Sequence, residues 1–171
     1  MLLEYAKVRD NVRAPSRAHP SDAGLDVFLN VEKVGDCQVR YLHGGVKKYG
    51  IVIQPGESKI LPTGIRLGIP HGYYVRIENR SSMSAKHDLL VGGGVVDAGY
   101  DGEIKVIMHN VGKEPQFIAQ HEKIAQLVMI PCVSFRAIET SSGDLYDWYP
   151  LTVDDGEKRG EGGFGSTDEQ E

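Results

Sequence analysis

The chain has 171 residues, enough to bury a core in one domain without a disulfide or metal staple. Its 19 Lys and Arg against 24 Asp and Glu leave a net charge of −5, which argues against a protein that coats nucleic acid but leaves room for a local basic pocket that takes an anion. Cys37 and Cys132 are too few and too far apart for a disulfide framework or a thiolate zinc site, no apolar run is long enough to span a membrane, and the start MLLEYAKVRD carries no export signal, so a soluble protein of a reducing cytosol is expected.

Leu2 to Val8 suits a first strand, followed by a loop through Asn11, Pro15 and Pro20 to Asp22. Leu25, Val27 and Leu29 then alternate on one face, which places Asp26 on the other. Residues 35–50, with Gly44-Gly45 and Lys47-Lys48, are expected to form an insertion or an extended hairpin. Gln54-Pro55-Gly56-Glu57 marks a turn, Lys59 to Leu61 and Ile65 to Ile69 are short strands split by Pro62-Thr63-Gly64, and Pro70-His71-Gly72 is the next turn. Tyr73 to Asn79 alternates again. It runs into Arg80 to His87, small and polar residues suited to one or two helical turns with Ser81 or Ser82 as N-cap. A strand feeding a short helix would bring Arg80 and free N–H groups together, an arrangement suited to an anion.

Leu89 to Asn110, LLVGGGVVDAGYDGEIKVIMHN, is the stretch around which the chain is organised. An apolar run, three glycines, Val95-Val96, Asp97, two Gly-containing pairs and a second alternating run predict a β-hairpin with a site at its tip. Gly92, Gly93 and Gly94 carry no Cβ, so a ligand can lie on the backbone and pair with N–H and C=O groups. Asp97 beside that edge suits a general base, and Tyr100 suits a ring that closes over a small planar substrate.

Phe117 to Ala119, Lys123 to Pro131 and Val133 to Ile138 predict three further strands. Residues 140–156 are polar and turn-rich around Tyr146, Trp148, Tyr149 and Leu151, and from Asp154 the chain is Gly-rich, charged and expected to be mobile. Gly160 to Gly165 matches G-x-G-x-x-G, but only six residues follow it, too few for the helix a dinucleotide site needs. What remains there is Arg159, glycines, Phe164, Ser166 and Thr167, groups suited to a phosphate chain and a stacked base. His87 and His109 are expected to be hydrogen-bonded rather than catalytic. Many short strands at regular spacing, with no long helical periodicity, predict an all-β sandwich, jelly roll or barrel.

Five stretches, in order, resemble the five motifs of the trimeric deoxyuridine triphosphatase (dUTPase) family: Ala23 to Val27, Arg80-Ser81-Ser82, Gly94 to Glu103, Lys123 to Leu127 and Arg159 to Thr167. The resemblance spans residues 23 to 167. It implies an all-β, distorted jelly-roll or β-barrel subunit with one short helix and a flexible C-terminal tail: residues 1–153 form the β domain, with insertions near 35–50 and 140–153, and 154–171 form the arm. It also implies a cytoplasmic homotrimer (host cytoplasm if the chain is viral) with three active sites at subunit contacts. On this resemblance Asp97 polarises a water for in-line attack on the α-phosphorus of dUTP, giving dUMP and pyrophosphate. Tyr100 packs on the deoxyribose, and the backbone from Gly92 through Gly94 to Val96 pairs with uracil. Arg80, Ser81, Ser82 and Gln126 hold the phosphates and the reacting water, and Asp26 reaches Mg²⁺ through the ion's water shell. Arg159, Phe164, Gly165, Ser166 and Thr167 close over base and γ-phosphate.

The chain departs from the family's pattern at His121-Glu122-Lys123, where Gly-Asp-Arg is usual, and Lys cannot make the bidentate contacts of Arg. Asp168 replaces a usual closing glycine, and Ser82 stands where glycine is common. The two insertions leave surfaces for a protein partner. Two other readings stay open: a dCTP deaminase or deaminase–dUTPase hybrid on the related fold, and a dUTP-dependent regulatory binding protein. No stable nucleic-acid or membrane binding is expected.

Overall fold

Short alternating runs punctuated by Gly and Pro give antiparallel strands throughout. The computed structural model describes residues 2–31, the backbone of 38–41, and residues 47–139. In chain order the elements are β1 (Glu4–Lys7), β2 (Leu25–Phe28), β3 (Gln38–Tyr41), β4 (Lys47–Ile53), β5 (Ser58–Pro62), β6 (Ile65–Gly68), β7 (Tyr73–Glu78), α1 (Ser81–His87), β8 (Leu89–Gly92), β9 (Val95–Val96), β10 (Lys105–Asn110), β11 (Gln116–Ala119) and β12 (Lys123–Pro131). They form sheets of order β2-β12-β7-β9, β5-β10-β8, β11-β4-β3 and β1-β6, which do not close into one barrel. Among the described residues this is the all-β, jelly-roll architecture with one short helix that the sequence predicts.

The core follows from the alternation. Val27 and Leu29 of the β2 segment, Ile53, Leu61, Val75, Leu89, Val106, Met108, Ile118, Ile124 and Leu127 are all buried in one cluster. Phe28 points to the other face of β2, where the Arg13 guanidinium lies 4.0 Å from its ring centre. The stretch 35–50 is an extended hairpin as to its strands, β3 pairing with β4 from Gln38↔Gly50 to Tyr41↔Lys47. The far end of β4 belongs to the core, because Ile51 and Ile53 are buried and pair with β11.

Three expectations are corrected. The 89–110 stretch is a hairpin only in its arms: β8 and β10 pair from Leu89↔Asn110 to Gly92↔Ile107, whereas Val95-Val96 crosses to pair with β7 in another sheet. Neither Ser81 nor Ser82 caps α1. The N-cap is Arg80, with no side-chain cap, and its carbonyl accepts from Met83 and Ser84 at 2.9 and 3.1 Å. Arg80 takes that place because its extended backbone continues from β7 while its side chain is drawn to Asp26. Finally, residues 132–139 form no strand; Val133, Phe135 and Ile138 are 83, 87 and 85% exposed, and no described strand pairs with this segment.

The chain divides after Ser134, and every described strand and helix lies before that point. The arm boundary at 153/154, the insertion 140–153 and the fifth motif lie outside the described residues.

Candidate active site

Two groups of the expected residues come together, in different places. The first is built on β2, β12 and the end of β7. Asp26, 9% exposed, offers one carboxylate oxygen to Arg80 Nε at 2.9 Å and the other to Lys123 Nζ at 2.6 Å. Arg80 also donates to Ser82 Oγ at 3.3 Å and to the Lys123 carbonyl at 3.5 Å, so its guanidinium is fixed from three sides. Gln126 lies opposite both Asp26 and Glu78 in register and donates to the Asn79 carbonyl at 2.9 Å. Ser81 begins α1 beside Arg80. Two cations against one carboxylate leave this group one positive charge in excess, which favours an anion. Lys123 therefore does make an ion pair, through one nitrogen where an arginine would offer a planar fork.

The second group is the turn after β9. Asp97 is exposed and Tyr100 is 50% exposed. Both border a cleft of about 250 Å³ together with Gly93, Val95, Val96 and the apolar side chains of Ile60, Ile77 and Ile107. The turn closes by Tyr100 N–H donating to the Asp97 carbonyl at 3.2 Å, with Gly99 at φ +94° where an L side chain would be strained. Gly94 permits a close approach: a Cβ there would lie 2.6 Å from the Ile77 carbonyl oxygen, whose own N–H donates to the Gly94 carbonyl at 2.7 Å. At Gly92 a Cβ would meet His109 Nε2 at 2.3 Å. The cleft thus combines apolar walls, glycine backbone and one free carboxylate.

The two groups are well separated in one chain. β2 and β9 are three strand spacings apart, and the rung of Asp26 (through Gln126 and Glu78) lies three residues from that of Val96 (through Val75), which puts their Cα atoms roughly 18 Å apart by strand geometry.

Arg159, Phe164, Gly165, Ser166 and Thr167 lie outside the described residues. Of the other residues, His121 stands at φ +64°, the left-handed conformation that glycine adopts without strain, between β11 and β12. His87 Nδ1 is 3.1 Å from Gln116 Oε1 and His109 Nδ1 is 2.6 Å from Ser58 Oγ, as structural histidines would be. Asn79, expected only as the end of an alternating run, supports the site: its carbonyl holds Gln126 and its side chain accepts from Val91 N–H at 2.7 Å. Its only sequence signal was position, between a strand and a helix.

Among the described residues no three His, Cys, Asp or Glu side chains converge as a metal cage, and no helix is long and apolar enough to cross a membrane. Both oxygens of Asp26 already face cations. The arrangement suits a divalent ion only if the ion arrives on a polyphosphate with its own waters, which Asp26 can meet from outside the coordination shell.

Comparison with known proteins gives concordant results. The dUTPase family model matches residues 46–168, more than two thirds of the chain. A deoxyuridine 5′-triphosphate nucleotidohydrolase of Beijerinckia indica is 44% identical over 153 residues, covering 88% of this chain and 86% of that protein. One from Clostridioides difficile is 33% identical over 167 residues, covering 96% of each chain. Among solved structures, the dUTPase of phage phi11 of S. aureus, reported with a structural Mg(II) ion, superposes with a TM-score of 0.67 at 22% identity, over 84% of this chain and 99% of that one. The EIAV dUTPase does so with 0.61 at 26% identity, over 84% and 100%.

Proposed function

The chain belongs to the dUTPase family and is a dUTP nucleotidohydrolase, and we propose that it forms dUMP and pyrophosphate at centres shared between copies of itself in a homotrimer, with Asp97 as general base. Asp97, exposed at the mouth of its cleft, takes a proton from a water that attacks the α-phosphorus in line with the departing pyrophosphate. The backbone from Gly92 to Val96 pairs with uracil, N–H groups donating to O4 and a C=O accepting from N3–H. Cytosine presents an amine in place of O4, and leaving buried groups unpaired is what makes such a site discriminate. Tyr100 packs on the deoxyribose and leaves no room for a 2′-hydroxyl.

The Arg80 group receives the phosphate chain. Arg80, already fixed by Asp26, Ser82 and the Lys123 carbonyl, meets phosphate oxygens without first being ordered, and Ser81, Ser82 and Gln126 add donors for phosphates and the reacting water. Mg²⁺, bound on the triphosphate and facing Asp26 through water, would neutralise phosphate charge. Arg159, Phe164, Gly165, Ser166 and Thr167 close the site, on γ-phosphate and base. The enzyme works in the cytoplasm.

The observation that carries the shared site is the separation of roughly 18 Å between the Asp26 and Val96 Cα atoms in one chain, too far for one α-phosphate to meet both Asp97 and an Arg80 guanidinium held against Asp26. Co-expressing Asp97→Asn and Arg80→Ala chains tests it. Each variant alone is inactive, but if Asp97 and Arg80 of one centre come from different copies, random mixing restores about a quarter of the unmodified activity. No recovery in mixed oligomers would place the whole site within one chain. Assays of dUTP and dCTP with pyrophosphate and ammonia both measured separate this chemistry from deamination, which would release ammonia.

A further inference from the structure

The turn that carries Asp97 and Tyr100 is short, glycine-containing and largely exposed, so something must hold it in register. The hydrogen bonds around Glu103 identify the anchor. Glu103 Oε1 accepts the Gly64 N–H at 2.7 Å and Arg9 Nη2 at 3.1 Å, with side chains only 18% and 22% exposed for Glu103 and Arg9. The same Arg9 nitrogen donates to the Asn30 carbonyl. One residue on, Ile104 N–H donates to the Ile65 carbonyl at 2.8 Å, and the Ile104 carbonyl accepts Thr63 Oγ1 at 2.5 Å and Thr63 N–H at 3.3 Å. On the other side, the Tyr100 hydroxyl donates to the Glu103 carbonyl at 3.3 Å, and its ring folds over Gly102 so closely that a Cβ there would lie 2.3 Å from the hydroxyl oxygen. Glu103 therefore touches the Tyr100 hydroxyl through its backbone and the β5–β6 turn through its side chain.

The anchor point itself is rigid. Gly64 stands at φ +72°, and a Cβ there would strike Val12 Cγ2 at 2.4 Å. Asn30 ties the same turn to the end of the β2 segment, donating to the Thr63 carbonyl at 2.7 Å and to the Phe28 carbonyl at 3.2 Å.

We propose that Glu103, held by Arg9 and the Gly64 N–H, is a positioning residue for the reaction: it fixes the Asp97–Tyr100 turn against the β5–β6 turn and so sets the sugar discrimination of Tyr100 and the reach of Asp97, without itself touching substrate. The inference rests on the roles given above to Asp97 and Tyr100. Glu103→Ala leaves the Gly64 N–H and Arg9 without their shared acceptor, freeing the turn. Glu103→Gln keeps a carbonyl oxygen for Gly64.

The test measures Glu103→Ala, Glu103→Gln and Arg9→Met in the full-length chain for kcat, KM, the dUTP/UTP ratio of kcat/KM, and amide hydrogen exchange across residues 97–102. Glu103→Ala is expected to raise exchange in that segment about tenfold, lower kcat by about tenfold or more and relax the dUTP/UTP ratio, with Glu103→Gln restoring most of each. If Glu103→Ala does not fold, Arg9→Met decides by the same readings. Unchanged exchange overturns the anchor. Raised exchange with unchanged kcat and ratio overturns its part in the reaction. Asp97→Asn and Tyr100→Ala in the otherwise unmodified chain report separately on the underlying roles: normal turnover in the first and an unchanged ratio in the second would fail that reading, whatever Glu103 does to exchange.

Discussion

Gly94→Ala separates site geometry from stability. The added Cβ would lie 2.6 Å from the Ile77 carbonyl oxygen, a backbone atom that no rotamer can move. To reach an ordinary C···O separation of about 3.4 Å, β9 must give by roughly 0.8 Å relative to β7. That movement stretches the 2.7 Å bond from Ile77 N–H to the Gly94 carbonyl and displaces Val95-Val96, which lead directly into Asp97. Overpacking with a weakened backbone bond costs about 2–4 kcal/mol in stability. A displacement near 1 Å at a catalytic group lowers kcat by about 10²-fold. Gly56→Ala is the control: at φ +73° it is strained by its backbone alone, meets no atom within 4 Å and lies in a turn among β4 and β5 residues, so it should cost about 1–2 kcal/mol and leave kcat intact. Thermal denaturation and steady-state pyrophosphate release, run on both variants, give the comparison. A Gly94→Ala enzyme within twofold of normal kcat/KM for dUTP would show that the close approach of β9 to β7 does not set the position of Asp97.

Asp97→Asn should keep nucleotide binding while kcat falls by about 10²–10⁴-fold, measured by single-turnover hydrolysis beside dUMP titration; near-normal turnover would assign the base elsewhere. Asp26→Asn removes the carboxylate between Arg80 and Lys123 and should cost about 1–3 kcal/mol, less than a fully buried pair because the Lys123 side chain keeps 32% of its surface exposed; an unchanged Tm would mean the two cations do not need it. A chain ending at Lys158 should still bind dUMP and lose most turnover, and full activity would remove residues 159–167 from the closure of the site.

The strands were legible because period-two alternation and Gly-Pro punctuation are local: Tyr73–Glu78 and Lys105–Asn110 announce themselves within six residues. Motif residues such as Asp97 and Arg80 were legible for the same reason, each marked by its neighbours. What escaped depends on partners distant in sequence. Nothing near Lys123 says that its amine reaches Asp26, and nothing near Glu103 names Arg9, 94 positions earlier. Val95-Val96 is a bare apolar pair after three glycines, so the crossing from one sheet to another is invisible until β7 is in place. The apolar residues from Val133 to Ile138 carry strand composition without a partner strand among the described residues, and composition alone cannot supply one.

The pairing of β2 with β12 has a consequence for how the chain is made. Leu25–Phe28 leaves the ribosome nearly a hundred residues before Lys123–Leu127, its hydrogen-bonding partner along that edge. At about 5–20 residues per second, β2 waits roughly 5–20 s with Val27 and Phe28 uncovered. Loop closure over that span is slow as well as late, since non-local pairings must meet their entropy cost before any contact rewards it. Asn30, whose side chain bonds to Arg13, Phe28 and Thr63, can be satisfied as soon as residue 63 has emerged, so the end of the β2 segment can be pinned while its edge is still unpaired. The nascent chain therefore passes through a long interval in which its first core strand is an open edge, and the last strand of the sheet is the one that ends that interval.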